Sequence, residues 1–227
     1  MVEQTINTAV SAPVEDYVKA IYALTLGPDQ AASTSQIAER LGVTAGSVST
    51  MLKRMDTAGL AEHVPYRGVR LTPSGRTLAL GVIRRHRLLE LFLSTSLDIP
   101  WEDVHRYADA LEHAASDELI ELIAAKLGDP VADPHGDPIP NRLLEVDDRT
   151  QPTIVDLSPG DRGRIVRVSD SEPEMLRYLT EQGIGIGAEL QMIERQPFDG
   201  PCLVRLPDNQ DRSLGIRLAQ AIHVERL

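Results

Sequence analysis

Up to Leu127 the apolar residues of this chain mostly keep a helical period, and beyond a proline-rich stretch they lose it. Pro130, Pro134, Pro138, Pro140, Pro152 and Pro159 fall among glycines and aspartates. Proline has no amide proton and clashes with the preceding helical turn, so neither a helix nor a central strand runs through such a stretch. On its C-terminal side the apolar residues come in short runs separated by turn signals such as Phe198-Asp-Gly-Pro201 and Pro207-Asp-Asn209. The expected fold class is α+β, mainly α, with boundaries at 1–72, 73–140, a linker at 141–160, and 161–227.

Residues 1–12 are polar and small and are expected to fray. A first helix starts near Pro13, carries Tyr17, Ile21 and Leu24 at helical spacing, and stops near Gly27-Pro28. Residues 33–60 read as a helix-turn-helix. Ser33, Thr34 and Ser35 offer caps, Ile37, Ala38 and Leu41 form an apolar stripe, Gly42 breaks the helix and Thr44 caps the next one. On that second helix Val48, Met51, Leu52 and Met55 face a core. Its outward face (Ala45, Gly46, Ser47, Ser49, Thr50, Lys53, Arg54) is small, hydroxyl-bearing or basic, which suits close approach to a major groove. Residues 60–72 then read as a β-hairpin with Arg67 and Gly68 at its turn, the wing of a winged helix. Thr72-Pro-Ser-Gly75 caps a long helix whose apolar residues are too many for one stripe, as in a helix entering a dimer interface.

The net charge of −11 argues against a nucleic-acid partner until its distribution is considered. Between Arg40 and Arg87 nine bases face two acids, Asp56 and Glu62, so the acidity lies elsewhere. The one cysteine, Cys202, makes no internal disulfide and excludes a cysteine-rich zinc site. No signal peptide and no bilayer-length apolar run are read, so the expected location is the cytoplasm.

The chemistry-bearing residues sit on two of the predicted helices. His105, Asp109, Glu112 and His113 fall at i, i+4, i+7 and i+8 of a helix expected over 102–115, and so share one face. His86 and Glu90 repeat the His/carboxylate pair at i, i+4. Imidazole and carboxylate together suit a divalent transition metal; the competing reading is a solvated helix face. His135, in the proline stretch, could be taken as a ligand, but an exposed turn is the expected reading; Asp16 is expected in the first turn of its helix. After residue 161 about five short strands are expected (including 188–195, 202–206, 213–218 and 221–226), with a short helix at 174–182, as in a small barrel. No separate nucleophile accompanies the metal donors, so a metal-dependent hydrolase is a remote alternative.

These features together resemble the diphtheria-toxin-repressor family of metal-dependent transcriptional repressors. The resemblance covers about Val14 to Leu227. It is carried by Asp16-Tyr-Val-Lys-Ala-Ile-Tyr22, Ile37-Ala-Glu-Arg-Leu-Gly42, Leu71-Thr-Pro-Ser-Gly-Arg76, His86-Arg-Leu-Leu-Glu90, Glu112-His113, His135-Gly-Asp-Pro-Ile-Pro140 and Gly183-Ile-Gly-Ile-Gly187. It implies a winged helix-turn-helix (1–72), a helical metal-binding and dimerisation domain (73–140) and a C-terminal SH3-like barrel (161–227). It implies two metal positions: His86, Glu90 and His105 with an acceptor from the SH3-like part, best matched by Glu172 ahead of Asp170 and Glu174; and Asp16, Asp109, Glu112 and His113. Asp16 and Asp109 stand where iron-responsive members have methionine and cysteine. Hard oxygen in place of sulfur favours Mn(II) over later metals, with Fe(II) as the alternative and other divalent transition metals binding in vitro. Lys19 departs from the shorter manganese sensors, which have a glutamate ligand there. The implied partners are a second copy of the chain and a palindromic double-stranded DNA operator, with Ser47, Ser49 and Thr50 on bases and Thr44, Lys53 and Arg67 on phosphates. Without metal, the crowded carboxylates are expected to repel one another.

Overall fold

The computed structural model describes residues 11–27, 30–147, 149, 151–169 and 172–227. Residues 1–10, Pro28 and Asp170, which carried expectations above, lie outside the described residues. The architecture is α+β and mainly helical, with a winged helix at the N-terminal end and an SH3-like antiparallel sheet at the C-terminal end. The chain divides into two compact units, one of residues 1–86, 112–115 and 140–146, the other of residues 87–111, 116–139 and 147–227.

In the first unit, α1 (Ala12–Leu24) buries Tyr17, Val18, Ala20, Ile21 and Tyr22. Helix α2 (Thr34–Leu41) opens on a capping box, Ser33 with Gln36, and ends on Gly42 at φ 64°. That left-handed conformation costs glycine little and lets Val43 donate back to the Ala38 carbonyl, turning the chain within one residue. Helix α3 (Ala45–Thr57) is capped by Thr44, whose Oγ1 accepts from the Ser47 amide, and buries Val48 and Met55. Strands β1 (Ala61–Val64) and β2 (Gly68–Leu71) pair antiparallel. Ala32 bridges to Val69, adding one residue to the outer edge of that pair. Gly68 is required there, because a Cβ would lie 2.2 Å from the Ala32 carbonyl oxygen. The turn carries Tyr66 at φ 62°, fully exposed. Helix α4 (Pro73–Leu97) begins where the Thr72 hydroxyl accepts from the Gly75 amide. Its first half packs Ala79, Leu80 and Ile83 into the core of α1–α3 and the wing. Leu144 and Val146, within the expected linker, pack against the same core.

The second unit holds the later part of α4, α5 (Val104–Glu112) up to Leu111, α6 (Asp117–Lys126) and the C-terminal sheet. Helix α5 is shorter than expected, and His113 follows its last residue. The sheet has strand order β6-β5-β4-β3-β7, with β3 (Arg162–Val168), β4 (Glu189–Arg195), β5 (Cys202–Arg205), β6 (Asp211–Leu214) and β7 (Ile222–Arg226) all antiparallel to their neighbours. Register shifts in β3 and β4 mark irregularities of the kind that bend a strand. Helix α7 (Pro173–Glu181) places Leu176 and Leu179 in the sheet's core with Ile165, Met192 and Val204. One element departs from expectation: Ser213 to Leu218 is not a single strand. Strand β6 stops at Leu214, and Ile216–Ala221 forms the short helix α8. Gly215 separates them, and a brief apolar run carries no period that distinguishes strand from helix.

Candidate metal centre

The first donor cluster belongs to the first unit and joins α1 to the end of α5. Asp16 and Lys19 lie three residues apart on one face of α1, with Glu15 four residues before Lys19. His113 sits between the two acids of α1. Its Nδ1 is 2.6 Å from Glu15 Oε2, and its Nε2 is 3.0 Å from Asp16 Oδ1. Glu112, 1% exposed, accepts from Lys19 Nζ at 2.7 Å through Oε1, and its Oε2 lies 2.6 Å from His86 Nδ1. Arg85 donates to the other Glu15 oxygen at 2.5 Å. One donor atom from each of Asp16, Glu112 and His113 lies within 4.8 Å of the others. Metal–oxygen bonds of about 2.1 Å place opposed donors roughly 4.2 Å apart, so small side-chain shifts suffice to close this set on an ion.

In the first cluster the repulsion expected among the carboxylates is offset, because Lys19, Arg85 and the two histidines are interleaved with them. Burial works against a charged His113 ring, but the hydrogen bond with Glu15 and the charges of Glu112, Asp16 and Glu15 outweigh it and raise its pKa. Burial likewise pushes the Glu112 carboxyl up, and the His86 and Lys19 contacts more than reverse that, holding it below the ordinary range.

The second unit holds another cluster. Glu90, wholly buried on α4, has Oε1 at 3.0 Å from His105 Nδ1. His105 Nε2 lies 3.3 Å from Asp109, which is exposed. On the other side of Glu90 lies His135, whose Nδ1 is 3.9 Å from Glu90 Oε2 and 3.9 Å from Asp133 Oδ1. His135 was expected in an exposed turn; it is instead 0% exposed, stacked on Trp101 and bonded through Nε2 to the Trp101 carbonyl oxygen at 2.7 Å. A carbonyl only accepts, so Nε2 carries the proton and a neutral ring leaves an Nδ1 lone pair facing the two carboxylates. That buried nitrogen has no hydrogen-bond partner, the condition a metal ion would relieve. Glu90, Asp133 and His135 offer donors within 4.8 Å of one another, all buried. Burial first, then the charges of Asp137 and Glu90, raise the Asp133 carboxyl well above its usual range. A bound cation would favour its ionised form, to which Arg87, 3.8 Å from Oδ2, already contributes.

The loop bearing Asp133 and His135 is seated by its own backbone. Asp133 Oδ1 accepts from the amides of His135 (2.8 Å) and Asp137 (3.0 Å), and Val168 of β3 donates to the His135 carbonyl at 2.8 Å. Arg87 donates to the Pro138 carbonyl and to Asp137, whose carboxylate also meets Arg167 at 2.7 Å. Glu172, the acceptor expected from the SH3-like part, stands at the N-cap of α7 and pairs with Arg217; it joins no donor group among the described residues. Asp133 is therefore a candidate that sequence reasoning missed, and His135 one that it set aside in favour of an exposed turn. The signal that could have found them was the histidine flanked by aspartates at i−2 and i+2.

The nucleic-acid candidates are all exposed: Thr44, Ser47, Ser49, Thr50 and Lys53 on or beside α3, and Arg67 on the wing. Ser49 and Thr50 donate to the Ala45 and Gly46 carbonyls one turn back, which leaves their oxygens able to accept. Among the described residues no helix is long and apolar enough to cross a membrane.

Comparison with known proteins agrees with this geometry. Residues 9–69 match the iron dependent repressor N-terminal DNA binding domain, residues 72–141 the iron dependent repressor metal binding and dimerisation domain, and residues 153–226 the FeoA domain. The diphtheria toxin repressor of Corynebacterium efficiens is 34% identical over 85% of this chain and 86% of its own length. The iron-dependent repressor IdeR of Mycobacterium tuberculosis is 30% identical over 85% of this chain and 88% of its own length. A manganese-dependent transcriptional repressor solved in complex with manganese superposes with a TM-score of 0.88 at 40% identity, covering 94% of this chain and all of that one. With a winged helix, buried His/carboxylate donors and an SH3-like sheet in this order, the chain belongs to the diphtheria-toxin-repressor family of metal-dependent, DNA-binding transcriptional repressors.

Proposed function

We propose that this chain is a manganese-activated, homodimeric repressor of metal-homeostasis genes, acting in the cytoplasm on a palindromic double-stranded operator. The observation that carries the reading is the Asp16–Glu112–His113 cluster, which sets metal donors on α1, the first helix of the winged-helix segment. One ion would be held by Asp16, Glu112 and His113, the other by Glu90, Asp133 and His135. His86 and His105 are hydrogen-bonded to Glu112 and Glu90, and Asp109 pairs with His105, so these three residues would support the donors or add to them. Neither donor set contains sulfur, which supports Mn(II) over thiophilic metals. The manganese-bound relative supports the same choice, while the iron-dependent relatives keep Fe(II) as the second reading.

A bound divalent ion supplies a compact positive charge that the carboxylates can share. Asp16 and His113, already in contact between α1 and the residue after α5, would hold the ion there and reinforce the seating of the winged-helix segment. Ser47, Ser49 and Thr50 face base edges, while Thr44, Lys53 and Arg67 meet phosphates. In a dimer the two α3 helices reach successive major grooves, so metal and DNA favour one state and each tightens the other. Residues 1–72 act on DNA, 73–140 on metal and dimerisation, and 161–227 form the SH3-like part, with 141–160 joining them.

The test is fluorescence anisotropy of a labelled duplex bearing an inverted repeat from upstream of a metal-transporter gene. Protein is titrated in chelator, in Mn(II) and in anaerobic Fe(II), at one salt concentration. The expected result is tight binding in Mn(II) only, abolished by Asp16→Ala with the dimer intact. Tighter binding in Fe(II) replaces manganese by iron in this reading; equal binding in chelator removes metal activation altogether.

A further inference from the structure

The first cluster contains a cation of its own. Lys19 lies on the same face of α1 as Asp16, and its ammonium is 2.7 Å from Glu112 Oε1. His113 Nε2, which reaches Asp16 at 3.0 Å, lies 3.5 Å from that same Glu112 oxygen. Lysine and the candidate metal donors thus converge on one carboxylate oxygen. The second Glu112 oxygen is held by His86, whose side chain is 7% exposed and has little room to leave. The Lys19 side chain is 24% exposed and sits on a flexible four-carbon stem, so it has a path to water. Charge completes the picture. Three carboxylates, Glu15, Asp16 and Glu112, meet two fixed cations, Lys19 and Arg85, and Arg85 is committed to Glu15 on the far side of the cluster.

We propose that Lys19 is a tethered cation that occupies the Asp16–Glu112–His113 site until a divalent ion displaces it from Glu112, so that Lys19 sets the metal concentration at which this chain responds. The inference rests on the reading of that cluster as a metal site. It assigns Lys19 a role distinct from a ligand, since an ammonium has no lone pair to give, and distinct from a passive prop. A like charge beside an incoming ion lowers affinity, while the same charge steadies the empty site. The two effects have opposite signs, which makes them separable.

The experiment uses the full chain as wild type, Lys19→Met, Lys19→Arg and Asp16→Asn. Mn(II) alone is titrated calorimetrically into chelator-stripped, desalted protein, and thermal unfolding is followed in chelator. Lys19→Met is expected to melt lower in chelator yet to bind Mn(II) about tenfold more tightly at one class of site, with the Mn(II) needed for half-maximal DNA binding falling by the same factor. Lys19→Arg, which keeps the charge, stays near wild type. If Lys19→Met weakens Mn(II) binding together with stability, Lys19 only positions Glu112 and the proposal is overturned; an unchanged affinity overturns it equally. Asp16→Asn separates the two layers. Loss of that class of site in Asp16→Asn without tightening in Lys19→Met leaves the metal site standing and removes the role of Lys19. An isotherm that Asp16→Asn does not alter removes both.

Discussion

Replacing Glu112 by glutamine tests the first cluster at its most buried point. The side chain keeps its shape and one acceptor but loses its charge. Two contacts change. His86, itself buried, exchanges a charge-assisted bond at 2.6 Å for a neutral one, roughly halving it, a loss of about 1 kcal/mol. Lys19, at 2.7 Å, faces an amide N–H₂ once the glutamine oxygen turns to His86, and swings to water. Being partly exposed, its contact is discounted for screening to about 0.5–1 kcal/mol. The sum is about 2 kcal/mol, which for a chain of this size lowers Tm by about 4–8 °C in chelator. The carboxyl of Glu112 is held below its ordinary 4.5, so this stability is present above that value and is lost as pH falls through the lower, folded-state pKa. The gap between wild type and variant therefore persists at pH 7 and narrows only as pH falls below 4.5. Addition of Mn(II) at a hundred times its dissociation constant stabilises an intact site by about 2.7 kcal/mol, and the variant should lose the part due to this cluster. Differential scanning calorimetry in chelator and in Mn(II) reads both effects. Equal melting of wild type and Glu112→Gln in chelator would refute the energetic argument, and an equal Mn(II) shift would refute Glu112 as a donor.

Other outcomes follow from the same geometry. The His113 ring is held above its ordinary 6.5, so the contribution of its charged form to the empty protein is present below that value and fades as pH rises through the folded-state pKa. Coordination needs the neutral ring, so Mn(II) affinity should climb with pH above 6.5, with proton release seen as buffer-dependent heat, and His113→Gln should flatten the profile. Gly136→Ala places a Cβ 2.0 Å from the Val166 carbonyl oxygen at a residue with φ 84°; a loss of about 3 kcal/mol is expected, read by Trp101 fluorescence on unfolding, and wild-type stability would contradict the seating of the His135 loop. Lys53→Ala and Arg67→Ala should each weaken binding to all duplexes alike and reduce the slope of log K against log salt by about 0.9; an altered base preference with unchanged slope would move these residues from phosphates to bases.

Local chemistry made the winged helix legible before any coordinates. The Ser33 capping box, Gly42 in the left-handed region, the Thr44 cap and the wing residues Pro65 to Gly68 each act within a few residues, so their consequences appear where the sequence places them. The same holds for the core faces, since Val48 and Met55 on α3 are buried as their spacing required. Ser213 to Leu218 was misread because its apolar run is shorter than either period needs, and the chain passes from strand to helix at Gly215.

The metal centre divides along the same line. Sequence spacing alone placed His105, Asp109 and Glu112 on one helix and paired His86 with Glu90, because a helix fixes neighbours at i+3, i+4 and i+7. Family resemblance added Asp16. Tertiary structure alone decided who neutralises whom: Lys19 meets Glu112 across 93 positions and His86 meets it across 26. It also buried His135, whose proline- and aspartate-rich surroundings read as an exposed turn until Val168 and Trp101 close over it. Residue type and spacing determine which groups can ligate a metal. Burial and charge compensation depend on what packs against them from distant parts of the chain, and no local period encodes that.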